Sequence, residues 1–161
     1  MALIEPASPA DAPALARVFI RCWRDAYRGV VADEILDALA VEELELRWRT
    51  LVPRVLVARD GVGAAIGMVR FGADEDDPQV GHVFSLYVDP ASSGAGAGRE
   101  LLARACGELS SAGFARATLW VFEANERALR FYRAAGWSPT GRTRVEEEWR
   151  ARELQLATEL T

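Results

Sequence analysis

Three glycines at alternate positions are the residues of this chain whose spacing most clearly indicates a ligand-binding site. Gly94, Gly96 and Gly98 follow an apolar segment at residues 82–88, and a helical pattern at residues 99–112 follows them. A strand, a glycine loop and a helix in this order turn several backbone N–H groups toward one point at a helix N-terminus. Glycine also lets a ligand approach the main chain closely. The pattern predicts a site for phosphate groups; the competing interpretation is a flexible connector.

Other reactive side chains are few. The chain has one histidine, His82, and two cysteines, Cys22 and Cys106, which fall on apolar helical faces. A reactive cysteine needs an exposed, electropositive setting, so we expect both thiols to be buried structural groups. One histidine without a cysteine cluster predicts no metal site.

Length and charge narrow the class of protein. The 161 residues carry a net charge of −5 and half of them are hydrophobic, which predicts a single domain over residues 1–161 with a substantial core. The acidic balance disfavours a nucleic-acid partner. No apolar run approaches the ~18 residues that cross a bilayer, and the N-terminus lacks a signal-peptide pattern. We therefore expect a cytoplasmic protein with no membrane partner.

Hydrophobic periodicity predicts the elements that position the glycine loop. Helices are predicted up to Tyr27, then at residues 33–39, 41–50, 99–112 and 125–135, with Pro53 closing the N-terminal helical region. Strands are predicted at residues 3–5, 54–59, 64–71, 79–88, 115–122 and 149–156. Residues 74–78 are interpreted as a solvated acidic loop. This order favours an α/β or α+β sandwich with a mixed sheet.

Two motifs resemble those of a known superfamily. Residues 86–90, Leu-Tyr-Val-Asp-Pro, followed by the glycine loop through Arg99, resemble the acetyl-CoA-binding motif of the GNAT N-acetyltransferases. Residues 119–137 resemble the second GNAT motif, in which a strand precedes Asn125, a helix carrying Phe131 and Tyr132, and then Gly136 and Trp137. Residues 23–49 resemble the N-terminal helices of bacterial members, so the resemblance covers almost the whole chain.

The resemblance implies a fold and a reaction. The expected fold is GNAT-like α/β (α+β), with a mixed central β-sheet of about six to seven strands flanked by helices on both faces. The expected cosubstrate is acetyl-CoA, with no metal, and an amine of the acceptor attacks the thioester directly. The alternative is a non-catalytic acyl-CoA-binding sensor or interaction domain, and a homodimer stays open. A P-loop nucleotide site is excluded because no Gly-Lys-Ser/Thr follows the glycines.

The resemblance also implies which residues hold acetyl-CoA. Ser93 stands where the family has Gln or Arg, which removes a long side chain from the pyrophosphate, and Arg99 is a candidate to replace its charge. Asn125 is expected either to contact the pantetheine arm or simply to cap its helix. The full set of expected cofactor-binding residues is Leu86, Tyr87, Val88, Ser93, Gly94, Ala95, Gly96, Ala97, Gly98, Arg99, Asn125 and Tyr132.

Two residues are candidates for proton transfer. Tyr132 matches the family tyrosine beside the thioester sulfur and could protonate the leaving thiolate, whereas the competing interpretation is an aromatic packing residue. His82 stands where the family often has a glutamate base. An imidazole with a pKa near ~6.5 suits that role, and the alternative is a core or pocket-lining histidine.

The acceptor side is less well defined. Trp23 and Tyr27 are four residues apart on the first helix, so they share one edge and are expected to line the acceptor pocket, with simple packing as the alternative. Residues 146–148 are three glutamates that either make the acceptor side acidic or lie exposed. A small-molecule amine, an antibiotic, a polyamine and a protein amine all remain possible acceptors.

Overall fold

A mixed sheet of seven strands is the frame of the molecule. The computed structural model describes residues 2–51 and 54–161, so the predicted helix end at Pro53 lies outside the described residues. Along the sheet the order is β1-β2-β3-β4-β5-β7-β6, and every neighbouring pair is antiparallel except the parallel pair β4–β5. The strands are β1 Leu3–Pro6, β2 Val55–Arg59, β3 Ala65–Ala73, β4 Gly81–Val88, β5 Arg116–Phe122, β6 Ser138–Glu146 and β7 Ala151–Glu159.

Helices cover both faces of the sheet, which confirms the predicted fold class. They are α1 Ala12–Tyr27, α2 Asp33–Asp37, α3 Val41–Leu51, α4 Ala97–Ser111 and α5 Glu126–Ala134. Alternate residues of a strand point to opposite faces, so Val57 packs with the core beneath α1 and α3, whereas Leu56 packs with the core beneath α4 and α5. Strand β4 is central, as its apolar sequence predicted.

Strands β4 and β5 separate along part of their length. They pair only where Gly81, His82 and Val83 face residues 117–119 of β5. Directly after this point β4 carries a bulge: Arg70 of β3 faces Ser85 and the next residue of β3 faces Val83, so Phe84 is an extra residue. An extra residue bends its strand. A gap therefore opens between the second half of β4 and the end of β5.

The C-terminal hairpin differs from the sequence prediction. The strand predicted at residues 149–156 is β7, which begins at Ala151 and ends at Glu159, and its partner β6 was not predicted. Residues 138–146 are polar and largely exposed because β6 is the edge strand of the sheet. An edge strand that buries neither face carries little hydrophobic alternation, which is the signal the prediction depends on.

Candidate active site

Two open cavities meet at the gap between β4 and β5. The loop cavity, of about 690 Å³, contains the glycine loop. The histidine cavity, of about 430 Å³, contains His82. Six residues line both cavities and mark the place where they join: Tyr27, Leu86, Tyr87, Asn125, Ala128 and Tyr132.

The glycine loop is built as its sequence predicts. Gly94 and Gly96 have φ angles of 87° and 91°, a region that glycine enters without strain, and Gly96 is the N-cap of α4. The side chain of Asp89 accepts a hydrogen bond from the backbone N–H of Ala91 and forms an ion pair with Arg21 at 2.7 Å. These contacts fix the turn before the loop, and residues 93–99 all line the loop cavity. The first N–H groups of α4 and its dipole favour an anion there.

Positive side chains also line the loop cavity. Arg99 lies on α4 and is exposed, with no ion pair among residues 2–51 and 54–161. Arg127, on the first turn of α5, lines the same cavity and was missed by the sequence analysis, although a basic residue two positions after Asn125 was a visible signal. Ser93 contributes no charge, and its hydroxyl donates a hydrogen bond to the Pro90 carbonyl at 3.0 Å.

Tyr132 is a packing residue that also lines both cavities. Its ring packs against Phe131 and Trp137, with centroids 5.2 and 6.2 Å away, and its side chain lines both cavities. Burial raises the pKa of its phenol, which keeps the hydroxyl protonated at neutral pH. Within the part of the chain that the structure describes, no hydrogen bond engages this hydroxyl. It can therefore donate to a group that enters either cavity.

Asn125 caps α5 and also reaches α1. Its Oδ1 accepts the backbone N–H of Ala128 at 3.1 Å, and its Nδ2 donates to the hydroxyl of Tyr27 at 3.2 Å. Tyr27 thus lies between the two cavities rather than on the histidine side alone, and burial raises the pKa of its phenol. Both side chains are held at the junction of the two cavities.

Trp23 is a core residue and a cavity wall at once. It is 5% exposed and packs against Phe122, Tyr27 and Trp149, with ring centroids 5.5, 4.5 and 4.1 Å away. The same ring lines the histidine cavity. Packing and lining are therefore compatible at this position.

His82 is buried and hydrogen-bonded. Its Nδ1 lies 2.7 Å from Oγ1 of Thr118 and 3.1 Å from Oδ2 of Asp74. Burial lowers the pKa of the imidazole, and Asp74 opposes that effect without overcoming it. The imidazole is accordingly neutral near pH 7 and can accept a proton.

The interpretation of residues 74–78 as a solvated loop is wrong for Asp74. Its side chain is 13% exposed, because the β3–β4 hairpin folds it back over the central strand. The hairpin register, in which Gly72 faces His82 and Ala73 faces Gly81, places Asp74 directly beyond the last pair. The hydrophobic pattern does not show the bulge at Phe84, which sets this register. The position of Asp74 beside His82 therefore could not be predicted from the sequence.

Both cysteines are free and half-buried, rather than fully buried as expected. The thiol of Cys22 lies in the loop cavity and donates to the Val88 carbonyl at 3.0 Å. Burial raises the pKa of Cys22 to about 12 and also raises that of Cys106. The reactive thiolate form is therefore scarce at neutral pH.

Charged residues give the histidine cavity a negative balance. Glu146 and Glu148 reach its lining, and Arg144 pairs with Glu153 at 2.6 Å. Six carboxylates and three arginines line this cavity: Asp74, Glu75, Asp76, Glu146, Glu148, Glu153, Arg47, Arg70 and Arg144. Among the described residues, no cluster of three or more His, Cys, Asp or Glu side chains is arranged to hold a metal ion. Within the same residues, no helix has the length and apolarity to span a bilayer.

Comparison with known proteins identifies the class. Residues 14–137 match the model of the acetyltransferase (GNAT) family. The chain is 30% identical over 137 residues to the uncharacterized N-acetyltransferase YuaI of Bacillus subtilis (strain 168), a match that covers 83% of this chain and 79% of YuaI. It is 32% identical over 146 residues to the probable N-acetyltransferase Rv2775 of Mycobacterium tuberculosis, covering 87% and 82% of the two chains.

Solved structures share the fold. The PaiA N-acetyltransferase of Thermoplasma acidophilum, solved with coenzyme A, superposes with a TM-score of 0.81 at 17% identity over 99% of both chains. A GNAT superfamily phosphinothricin acetyltransferase of Sinorhizobium meliloti, solved with AcCoA, gives a TM-score of 0.76 at 21% identity, covering 99% of this chain and 88% of the other.

The chain belongs to the GNAT acetyltransferase family. It is an acyltransferase enzyme of the N-acetyltransferase type, and its mixed seven-stranded sheet with helices on both faces is the GNAT fold.

Proposed function

We propose that this enzyme transfers the acetyl group of acetyl-CoA to an amine, with acetyl-CoA in the loop cavity and the amine in the histidine cavity. The observation that carries the proposal is the lining that the two cavities share. A thioester at the end of one cavity and an amine at the end of the other would meet beside Tyr27, Asn125 and Tyr132. The solved relatives that hold coenzyme A or AcCoA support this choice of cosubstrate.

The loop cavity suits each part of acetyl-CoA. The pyrophosphate would accept hydrogen bonds from the main chain of residues 94–98 at the N-terminus of α4, with Arg99 and Arg127 balancing the phosphate charge. The edge of Leu86, Tyr87 and Val88 that faces the gap has no strand partner among the described residues. The amide groups of the pantetheine arm would pair with that edge like an added strand.

Proton transfers accompany the direct attack. An ammonium acceptor gives a proton to His82, and the freed nitrogen forms a bond with the acetyl carbonyl carbon. The C–S bond then breaks, and Tyr132 protonates the departing thiolate. The nitrogen loses one further proton as it becomes an amide, and that proton returns to the phenolate through solvent. No covalent acyl-enzyme is needed, so catalysis depends chiefly on positioning.

The histidine cavity favours a cationic amine. Its carboxylates outnumber its arginines by six to three, and Trp23, Tyr27 and Trp149 present aromatic rings to it. Negative charge raises the local concentration of cations, and a cation over an aromatic ring gains ~0.5–2 kcal/mol. We further propose that the enzyme works in the cytoplasm, in keeping with its two free cysteines.

An amine panel with acetyl-CoA tests the proposal. Monoamines, polyamines, amino acids, aminoglycosides and short peptides are compared by thiol release and by the mass of the acceptor. We expect acceptor-dependent thiol release, with the lowest KM among amines that carry further positive charge. Coenzyme A binding without turnover across the panel would contradict the proposal and indicate an acyl-CoA-binding domain without catalysis.

A further inference from the structure

The side chains of Asp74, Thr118 and His82 form a closed triangle at the wall of the histidine cavity, which Asp74 and His82 line. Oγ1 of Thr118 donates to Oδ2 of Asp74 at 2.9 Å, and Nδ1 of His82 lies 2.7 Å from the same hydroxyl and 3.1 Å from the same carboxylate oxygen. The three residues come from the β3–β4 loop, β5 and β4. Thr118 is 4% exposed and His82 is 6% exposed, so water cannot readily replace these contacts.

The carboxylate of this triangle is ionised. Burial alone would raise the pKa of Asp74, but several contacts outweigh burial and hold it below the ordinary value. These contacts are the hydrogen bond from the backbone N–H of Asp76, at 2.8 Å, the Thr118 hydroxyl, the nearby imidazole and the backbone N–H of Asp77, which a side-chain substitution at Asp77 keeps. An ionised carboxylate can only accept hydrogen bonds.

Counting protons in the triangle fixes the tautomer of His82. If the single hydroxyl proton of Thr118 pointed to Nδ1, the hydroxyl oxygen would oppose the ionised Asp74 oxygen 2.9 Å away, so we assign this proton to the bond with Asp74. A lone pair on Nδ1 would face the carboxylate oxygen at 3.1 Å, two acceptors opposed in a buried site. A proton on Nδ1 instead satisfies both groups. Nε2 then keeps its lone pair, and no hydrogen bond engages it among residues 2–51 and 54–161.

We propose that Asp74 is a positioning residue, which holds His82 in the tautomer whose Nε2 accepts the proton of the acceptor amine. The proposal rests on the proposed function, in which His82 is the base. Asp74 also stabilises the imidazolium that forms, without taking the proton itself. The other charged groups that act on the imidazole are Arg144 of β6 and Glu75 of the β3–β4 loop, which have opposite effects.

The single histidine allows a direct test. In untagged protein labelled with ¹⁵N-histidine, all imidazole signals belong to His82, and their shifts report the tautomer and its titration. We expect the Nδ1–H tautomer in the wild type. Asp74→Asn should admit the Nε2–H tautomer, because its amide can donate to Nδ1, and should move the titration to lower pH. Asp77→Asn, an equal charge change at an exposed position of the same loop, should leave both unchanged.

A second variant separates charge from packing. Thr118→Val keeps the carboxylate and nearly the same side-chain shape, so the Nδ1–H tautomer should persist.

Asp74→Asn should lower kcat by ~10-fold or more with acetyl-CoA affinity unchanged, and the ascending limb of its pH profile should move to lower pH.

Two results would overturn the proposal. One is the Nε2–H tautomer in the wild type, and the other is an unchanged tautomer and titration in folded Asp74→Asn; neither measurement needs an acceptor. Full turnover in His82→Ala would show that His82 is not the base. It would therefore exclude a catalytic role of Asp74 even if the NMR result is the expected one. The failure of the proposed function is therefore distinguishable from the failure of this inference.

Discussion

The side-chain amide of Asn125 ties helix α5 to helix α1, because its Nδ2 donates a hydrogen bond to the hydroxyl oxygen of Tyr27 at 3.2 Å. The same side chain caps α5 through its Oδ1. Both residues stand where the two cavities join. One short polar side chain therefore couples the start of a helix to the point where the ligands would meet.

Two substitutions at Asn125 separate these contacts. Asn125→Ala should lower the free energy of unfolding by ~1 kcal/mol, because the cap is lost. Asn125→Ser should restore most of this stability, since serine is a good N-cap, but its side chain is too short to reach Tyr27. Chemical denaturation measures the first effect and kcat measures the second. Equal stability of the alanine variant and the wild type would contradict the capping role.

Replacing Tyr132 by phenylalanine tests its role as an acid. The ring packing against Phe131 and Trp137 is kept, whereas the hydroxyl that we propose protonates the thiolate is removed. We expect kcat to fall by ~10²-fold, with the affinity for coenzyme A nearly unchanged by calorimetry. Unchanged kcat, with an unchanged melting temperature, would return Tyr132 to a packing role.

The pH dependence of kcat/KM tests His82. Burial lowers the pKa of its imidazole below the ordinary ~6.5, and the neutral form is the base. Activity should therefore rise with pH through a midpoint below ~6.5, separate from the limb due to ionisation of the amine at higher pH. In His82→Gln this limb should disappear, whereas the limb due to ionisation of the amine, at higher pH, should remain. Identical profiles on one substrate would exclude the role of base.

A charge in the glycine loop should block cofactor binding. Gly96→Glu places a side chain at a φ of 91° and a carboxylate beside the expected pyrophosphate. The Kd for acetyl-CoA should rise by ~10-fold or more, equivalent to ~1.4 kcal/mol. Gly63→Glu is the matched control, because Gly63 has a φ of 85° in an exposed turn away from both cavities. Equal affinities in the two folded variants would contradict the loop site.

Direct attack predicts that no acetyl group is stored on Cys22. Its thiol lies in the loop cavity, where we place acetyl-CoA, but its pKa of about 12 leaves almost no thiolate at neutral pH. Intact-mass measurement after incubation with acetyl-CoA alone should show no adduct, and alkylation of Cys22 at pH 7 should be slow until the protein is unfolded. An acetylated Cys22 peptide that disappears when an amine is added would contradict direct attack.

The fold could be predicted from the sequence wherever one residue pattern determined one element. The amphipathic α1 and the apolar β4 were predicted from their hydrophobic patterns. Helix α4 was also predicted, but it begins at Ala97, directly after its N-cap Gly96 and two residues before the predicted start at Arg99. Strand β6 could not be predicted in this way, because its hydrogen bonds to β7 form it and its side chains bury little. Edge strands depend on their neighbours more than on their own composition.

The lining of the two cavities was predictable where its residues lie in motifs that the sequence shows. The loop residues and Asn125 lie in continuous motifs, so the elements on which they lie could be predicted. Residues 146–148 were a candidate acidic segment, and Glu146 and Glu148 line the histidine cavity. Asp74, in contrast, reaches His82 through the register of a hairpin. Contacts of this kind depend on strand pairing, which a single sequence does not specify.

The separation of β4 and β5 also bears on how such an enzyme could change its substrate over evolution. The loop cavity includes a continuous motif, residues 93–99, whereas α3 and the turn before β7 line the histidine cavity and not the loop cavity. Mutations in α3 or in that turn can alter the preferred amine without touching the glycine loop. A duplicated copy of this chain could thus acquire a new acceptor through changes at Arg47, Trp48 or Trp149 while inheriting its acetyl donor unchanged.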